Sequence, residues 1–172
     1  YKGEPKNNLK YFLSGLIKKK KKRRQWSIYV NHLGLEELNF TYEDDNKLRK
    51  ASRVDFKHLK LNNVNADFKD LVYDKGLLSL NSKLLSLKEK SGFEITGLKG
   101  DFFMDENRLV FKNFDLKTPN SDVNGEIKME YENFNAFKHF NTDVQFLGEF
   151  DETYVDGNDI GYFAPKIRGI NR

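Results

Sequence analysis

Three histidines, His32, His58 and His139, are the candidates for proton transfer or metal ligation in this 172-residue chain, and none has another histidine three or four positions away. The zinc-protease arrangement of two imidazoles on one helical turn is therefore missing. Cysteine is absent, which removes disulfides, thiol nucleophiles and thiolate metal sites. Asp151, Glu152, Asp156 and Asp159 lack the spacing of a calcium loop, and Glu43, Asp44 and Asp45 read as a hairpin tip. Gly97 and Gly100 fall inside a strand pattern, where bending or close packing explains them better than a phosphate cradle. Asn39-Phe40-Thr41 has the form of a glycosylation acceptor but lies in mid-strand. With no nucleophile beside a base, the chain reads as a non-enzyme that needs neither metal nor cofactor.

The strongest charged feature is an unbroken basic run, Lys18, Lys19, Lys20, Lys21, Lys22, Arg23 and Arg24. It repels itself and buries nothing, so residues 18–25 are expected as a flexible loop. Attraction to anionic headgroups, worth about 1 kcal/mol per cation near a charged leaflet, makes it a candidate membrane-surface segment. Removing those seven charges from the net +4 leaves −3, and no aromatic is interleaved among the cations to stack bases. Nucleic acid is thereby excluded as the expected partner. Ahead of the run, Leu9, Phe12, Leu13, Leu16 and Ile17 follow helical spacing after Pro5, which predicts a short amphipathic helix within residues 1–17. That helix either caps the end of a sheet or lies on a membrane surface.

The elements that dominate the chain are strands. Apolar and polar residues alternate with period two from Ile28 to Phe150, which puts apolar side chains on one face of a strand and charges on the other. We place strands near 26–43, 52–72, 77–89, 92–105, 108–117, 121–132 and 142–155. Turn-forming clusters separate most of them at Glu43–Lys47, Asp74–Gly76, Lys90–Gly92, Asp105–Asn107 and Thr118–Ser121, so the expected topology is an antiparallel meander. The apolar phase slips by three residues at Leu35/Leu38, Phe56/Leu59, Leu61/Val64, Ile95/Leu98 and Phe111/Phe114. Bulges at such slips bend and twist a sheet. The fold expected is thus mostly β, a meander over residues 26–155 curled into an open U-shaped groove, with helix only at the ends and a short helical turn within 156–172. A further turn or compact loop is expected around Phe134, Phe137 and Phe140.

Phase alone assigns the groove lining. The first two strands contribute Leu38, Phe40, Leu61, Val64, Ala66 and Phe68, and the next two Leu80, Leu87, Ile95, Leu98, Phe102 and Met104. The later strands add Leu109, Phe111, Phe114, Leu116, Val123, Ile127 and Met129, and the last Val144, Phe146 and Phe150.

Several linked stretches resemble one family. They are Tyr1-Lys2-Gly3-Glu4 with Asn7, Asn8 and Leu9, then Val54 to Ala66, then Leu85 to Phe93, Thr118-Pro119-Asn120-Ser121, and Tyr162-Phe163-Ala164-Pro165. Together they resemble the amino-terminal part of TamB-like proteins, the long members of the AsmA-like group in Gram-negative cell envelopes. The resemblance implies a parent anchored in the inner membrane by a helix outside this chain and extending through the periplasm. It also implies a taco-shaped trough with an apolar floor, similar to bridge-like lipid-transfer proteins. Phospholipid passage to the outer membrane and outer-membrane protein assembly, with a β-barrel assembly protein as partner, are the associated functions. The seven-residue basic loop departs from the family pattern. The chain begins with Tyr1 and has no run of roughly 18 apolar residues, so we read it as a segment of a longer protein.

Two functions follow from these expectations. A conduit leaves the apolar face accessible to phospholipid acyl chains, each buried methylene contributing about 0.8 kcal/mol. A scaffold closes that face on itself as a sandwich, or covers it with another chain.

Overall fold

A computed structural model describes residues 26–49 and 53–163. The helix expected within residues 1–17, the basic run Lys18–Arg24 and the end beyond Phe163 lie outside the described residues.

The alternating stretches form strands: β1 (Ser27–Glu43), β2 (His58–Asp74), β3 (Leu77–Glu89), β4 (Glu94–Ile95), β5 (Gly97–Met104), β6 (Arg108–Lys117), β7 (Asp122–Tyr131) and β8 (Val144–Phe150). Every pairing is antiparallel, in the order β1-β2-β3-β5-β6-β7-β8, with β4 paired to β3. The result is one eight-stranded sheet that is not closed, since β1 and β8 do not pair with each other. A self-closed sandwich is set aside, because no second sheet exists among the described residues.

Local chemistry explains the reversals. Between β2 and β3 only Lys75 and Gly76 intervene, both with positive φ (48° and 89°), the two-residue turn whose twist matches a hairpin. Asp105 Oδ1 accepts from the N–H groups of Asn107 and Arg108, each at 2.9 Å, and Thr118 Oγ1 accepts from those of Asn120 and Ser121 at 3.1 and 2.8 Å. Such local side-chain acceptors stabilise a turn against continued extension.

Three of the five expected phase slips are bulges. Register shifts fall between Leu35 and Leu38, between Asn62 and Asn65, and between Phe111 and Phe114. At each, one residue takes a positive φ: Glu37 at 51°, Asn63 at 50° and Asn113 at 49°. The N–H of Glu37 is satisfied by Asn65 Oδ1 at 3.0 Å and that of Asn63 by Asn39 Oδ1 at 3.3 Å, so the ladder is interrupted without orphaned donors there. A further slip sits at Asp70, with φ 51° and a register shift between Lys69 and Val72.

Two expected slips have another cause. At Phe56/Leu59 the first residue precedes the strand: Asp55 turns the chain by accepting from Lys57 N–H at 3.0 Å and facing His58 Nδ1 at 2.9 Å, so β2 starts at His58 and not near residue 52. Ile95/Leu98 is the break between β4 and β5, where Thr96 N–H turns to Lys117 O at 2.8 Å. The strand expected over 92–105 is therefore two, and the one expected over 142–155 is β8 with an isolated bridge from Tyr154 to Asp122.

Both ends of the strands carry small caps. Near the β7–β8 connection, a 3-10 turn (Phe134–His139) and α1 (Phe140–Asp143) bring the Phe137 ring edge-on to Tyr131 at 4.8 Å, with Tyr131 and Ala136 buried. At the opposite end α2 (Gly157–Gly161) is N-capped by Asp156. Buried Asp159 accepts from Thr118 Oγ1, Ser121 Oγ and Asn120 Nδ2 at 2.5, 2.6 and 3.3 Å. Phe163 then stacks on Phe56 and edges onto Phe93, tying α2 to the turns beside β2 and β4.

Candidate functional site

Cross-strand neighbours share a face of a sheet, as do residues two apart on a regular strand. Tracing those relations from pair to pair defines one face without crossing a bulge. One row runs through all seven strands of the main path: Ile28, Tyr73, Leu78, Met104, Leu109, Met129 and Phe146. The next contains Leu80, Phe102, Phe111, Ile127 and Gly148. Beyond it lie Phe68 with Ser82 and Gly100, and Phe114 with Gly125 and Phe150. Ala66 pairs Leu85, Leu98 pairs Leu116 and Leu116 pairs Val123. Leu38 pairs Val64, Leu87 pairs Ile95, Phe40 pairs Leu61 and Tyr131 pairs Val144.

Every lining residue expected from phase lies on this one face. The bulges are the reason: each adds one residue and restores the apolar phase that straight alternation would have lost. Residues the sequence reading missed also belong to it, among them Ile28, Val30, Leu33, Leu35, Leu71 and Leu78. A phase slip between Val30 and Leu33 and another between Phe68 and Leu71 were the signals available.

The opposite face carries the charges, together with one apolar row of Tyr29, Val72, Phe103, Val110 and Leu147. Lys60, Lys69, Lys88, Lys99, Arg108, Lys112, Lys117 and Lys128 all pair across the ladder on that side. Ion pairs there include Lys128 with Glu130 at 2.6 Å, Lys117 with Asp122 at 3.0 Å and Lys88 with Glu94 at 3.1 Å. Asp101 on this face accepts from the side-chain amides of Asn81 and Asn113. Those two hydrogen bonds hold its carboxyl below the usual value against the opposing effect of burial, with a further contribution from nearby Lys83.

The apolar face is uncovered to an unusual degree. Among the described residues no large side chain falls below 2 % exposure, although a chain this long can bury a sizeable core. Leu38, Phe40, Phe146 and Phe150 are 40–49 % exposed, while Phe114, Val64 and Ala66 are the buried points of the floor. Rings pave its β5–β8 half: Phe102 edges onto Phe111 (5.9 Å), Phe111 stacks on Phe114 (5.6 Å), and Phe114 meets Phe150 (6.2 Å). They lie low because glycine sits beneath them. A Cβ on Gly100 would stand 2.8 Å from the Phe111 ring, and one on Gly148 would stand 2.6 Å from that of Phe150.

The bulges of β1, β2 and β6 fall in mid-strand, where each bends and twists its own strand. The apolar rows run across the strands. At about 4.8 Å between neighbours, seven strands give a track of roughly 29 Å.

Polar groups on the apolar face are few. Ser82 Oγ donates to Leu98 O at 2.9 Å, Tyr131 donates to Asp105 O at 2.9 Å, and buried Glu89 accepts from Ser91 N–H at 2.7 Å and Lys60 N–H at 3.4 Å. Two shallow depressions open elsewhere, one beside Tyr131 and α1 and one around Asp101 and Lys69. Among the described residues no group of three or more His, Cys, Asp or Glu side chains could hold a metal, and no helix is long and apolar enough to cross a membrane. No protein-family model, curated protein or solved structure matches this chain.

Proposed function

We propose that this chain is a segment of a TamB-like protein whose apolar β-face conducts phospholipid between the inner and outer membranes of a cell envelope. In this reading it is not an enzyme. It lies in the periplasm, tethered to the inner membrane through a part of the parent outside this sequence, and carries acyl chains along the row direction with headgroups toward water. The observation that supports it is the apolar face itself, continuous across every strand of an open sheet and left largely uncovered. A soluble protein seldom exposes more than a few hundred square ångströms of contiguous apolar surface without an occupant.

The chemistry of the face also bears on what the occupant is. A bound polypeptide would bring a regular series of N–H and C=O groups that need partners, whereas Ser82, Glu89 and Tyr131 are already engaged and the remaining polar groups of the face are scattered phenols. Hydrocarbon makes no such demand. It slides along a row because no directional contact must be broken.

A second reading, a scaffold that assists outer-membrane protein assembly without lipid passage, draws on the edges. Among the described residues β1 and β8 each have a partner strand on one side only, a geometry that accepts an added strand.

Charging the floor separates the two. Phe102→Asp or Met104→Glu places an ion where hydrocarbon must pass, and half-exposed surroundings let the sheet keep its fold. Lipid transfer between donor and acceptor vesicles by the parent protein is expected to fall at least about tenfold, with circular dichroism unchanged. Undiminished transfer with both charges in place would leave the scaffold.

A further inference from the structure

We infer that the apolar face selects its ligand by hydrocarbon length and is indifferent to headgroup charge, an inference that rests on the hydrocarbon-binding reading above. Recognition of a phosphate, amine or carboxylate needs an opposite charge or oriented donors within hydrogen-bond reach. The ladder puts Lys60, Lys69, Lys88, Lys99, Lys112 and Lys128 on the far face. The one ionisable carboxylate traced to the apolar face, Glu89, is 3 % exposed and already accepts from Ser91 and Lys60 N–H. It sits at the end of β3, beside the turn at Ser91 and Gly92, outside the aromatic floor. Ser82 and Tyr131 give their hydroxyl protons to backbone carbonyls. The other hydroxyls of the face are the neutral phenols of Tyr42 and Tyr73, so a headgroup above this floor meets no exposed charged group.

What remains to discriminate ligands is apolar contact. Each methylene moved from water onto the face strengthens binding by up to about fourfold. The track of seven strands is long enough to keep adding contact beyond a twelve-carbon chain.

The test uses the full chain and a fluorescent sixteen-carbon acyl probe, displaced by lysophospholipids below their micellar concentrations. Headgroups are phosphocholine, phosphoethanolamine and phosphoglycerol; chains have 12, 14 or 16 carbons. High salt, which shortens screening to a few ångströms, removes attraction to Lys18–Arg24. The expected result is affinity that rises severalfold per added carbon pair and varies less than about threefold among headgroups at fixed length. A tenfold preference for one headgroup, or affinity independent of length, would overturn the inference while leaving hydrocarbon binding intact. If the probe does not bind saturably, or binds Phe102→Asp equally well, the hydrocarbon reading itself fails.

Discussion

Gly125 is the residue whose replacement the geometry tolerates least. Its φ is 153°, and a Cβ there would stand 2.0 Å from Glu149 O, a backbone atom of the neighbouring strand that cannot step aside. Gly125→Ala is expected to destabilise the sheet by at least about 2 kcal/mol in urea unfolding. Gly97, with nothing within 4 Å of its Cβ position, is the control: Gly97→Ala should change stability by less than about 1 kcal/mol. Asp101 gives a pH signature. Its carboxyl is held low by hydrogen bonds from Asn81 and Asn113, so its contribution is complete above the unfolded value of about 3.9 and is lost as pH falls through the lower folded value. Between pH 2 and 5 the urea midpoint of the wild type should therefore fall more steeply than that of Asp101→Asn. Equal slopes would show that the two amides do not favour the ionised form.

At the scale of elements, the bulges decide which face is which. Asn113 adds the residue that returns Phe114 and Leu116 to the apolar face after Phe111. Deleting it would turn both side chains toward the charged face. The deletion should abolish cooperative unfolding, whereas Asn113→Gly, which keeps the extra residue and suits its φ of 49°, should not. These bulges were legible in the sequence wherever three-residue spacing separated two apolar residues inside a strand, as at Leu35/Leu38, Leu61/Val64 and Phe111/Phe114. The same spacing misled at Phe56/Leu59, because Val54-Asp55-Phe56 alternates like a strand while the Asp55 carboxylate folds it into a turn. Pattern reports which residues are apolar, and cannot tell whether a side-chain acceptor outcompetes the ladder. Asp159 was invisible for a related reason. Its three donors lie some forty positions earlier in the chain, and only the folded meander brings Thr118, Asn120 and Ser121 to it.

On the scale of the whole molecule, one sheet divides its chemistry between two faces. Ion pairs and lysines are gathered on one side, and bulges keep the apolar phase aligned on the other over seven strands and about 29 Å. That alignment links sequence to the proposed function: a single uncorrected slip would place charge in the path of a sliding acyl chain. The candidate face was legible because phase is local, and its missed members lie mostly on β1 and β2, on either side of the slip at Asp70. The most direct measurement is photo-crosslinking of a phospholipid to side chains on adjacent positions of one strand. With a photoreactive residue introduced at Phe102 or at Phe103, and likewise at Ile127 or Lys128, lipid should be captured at 102 and 127 and not at 103 and 128. Equal capture on both faces, or none on either, would contradict the claim that hydrocarbon occupies the apolar side of this open sheet.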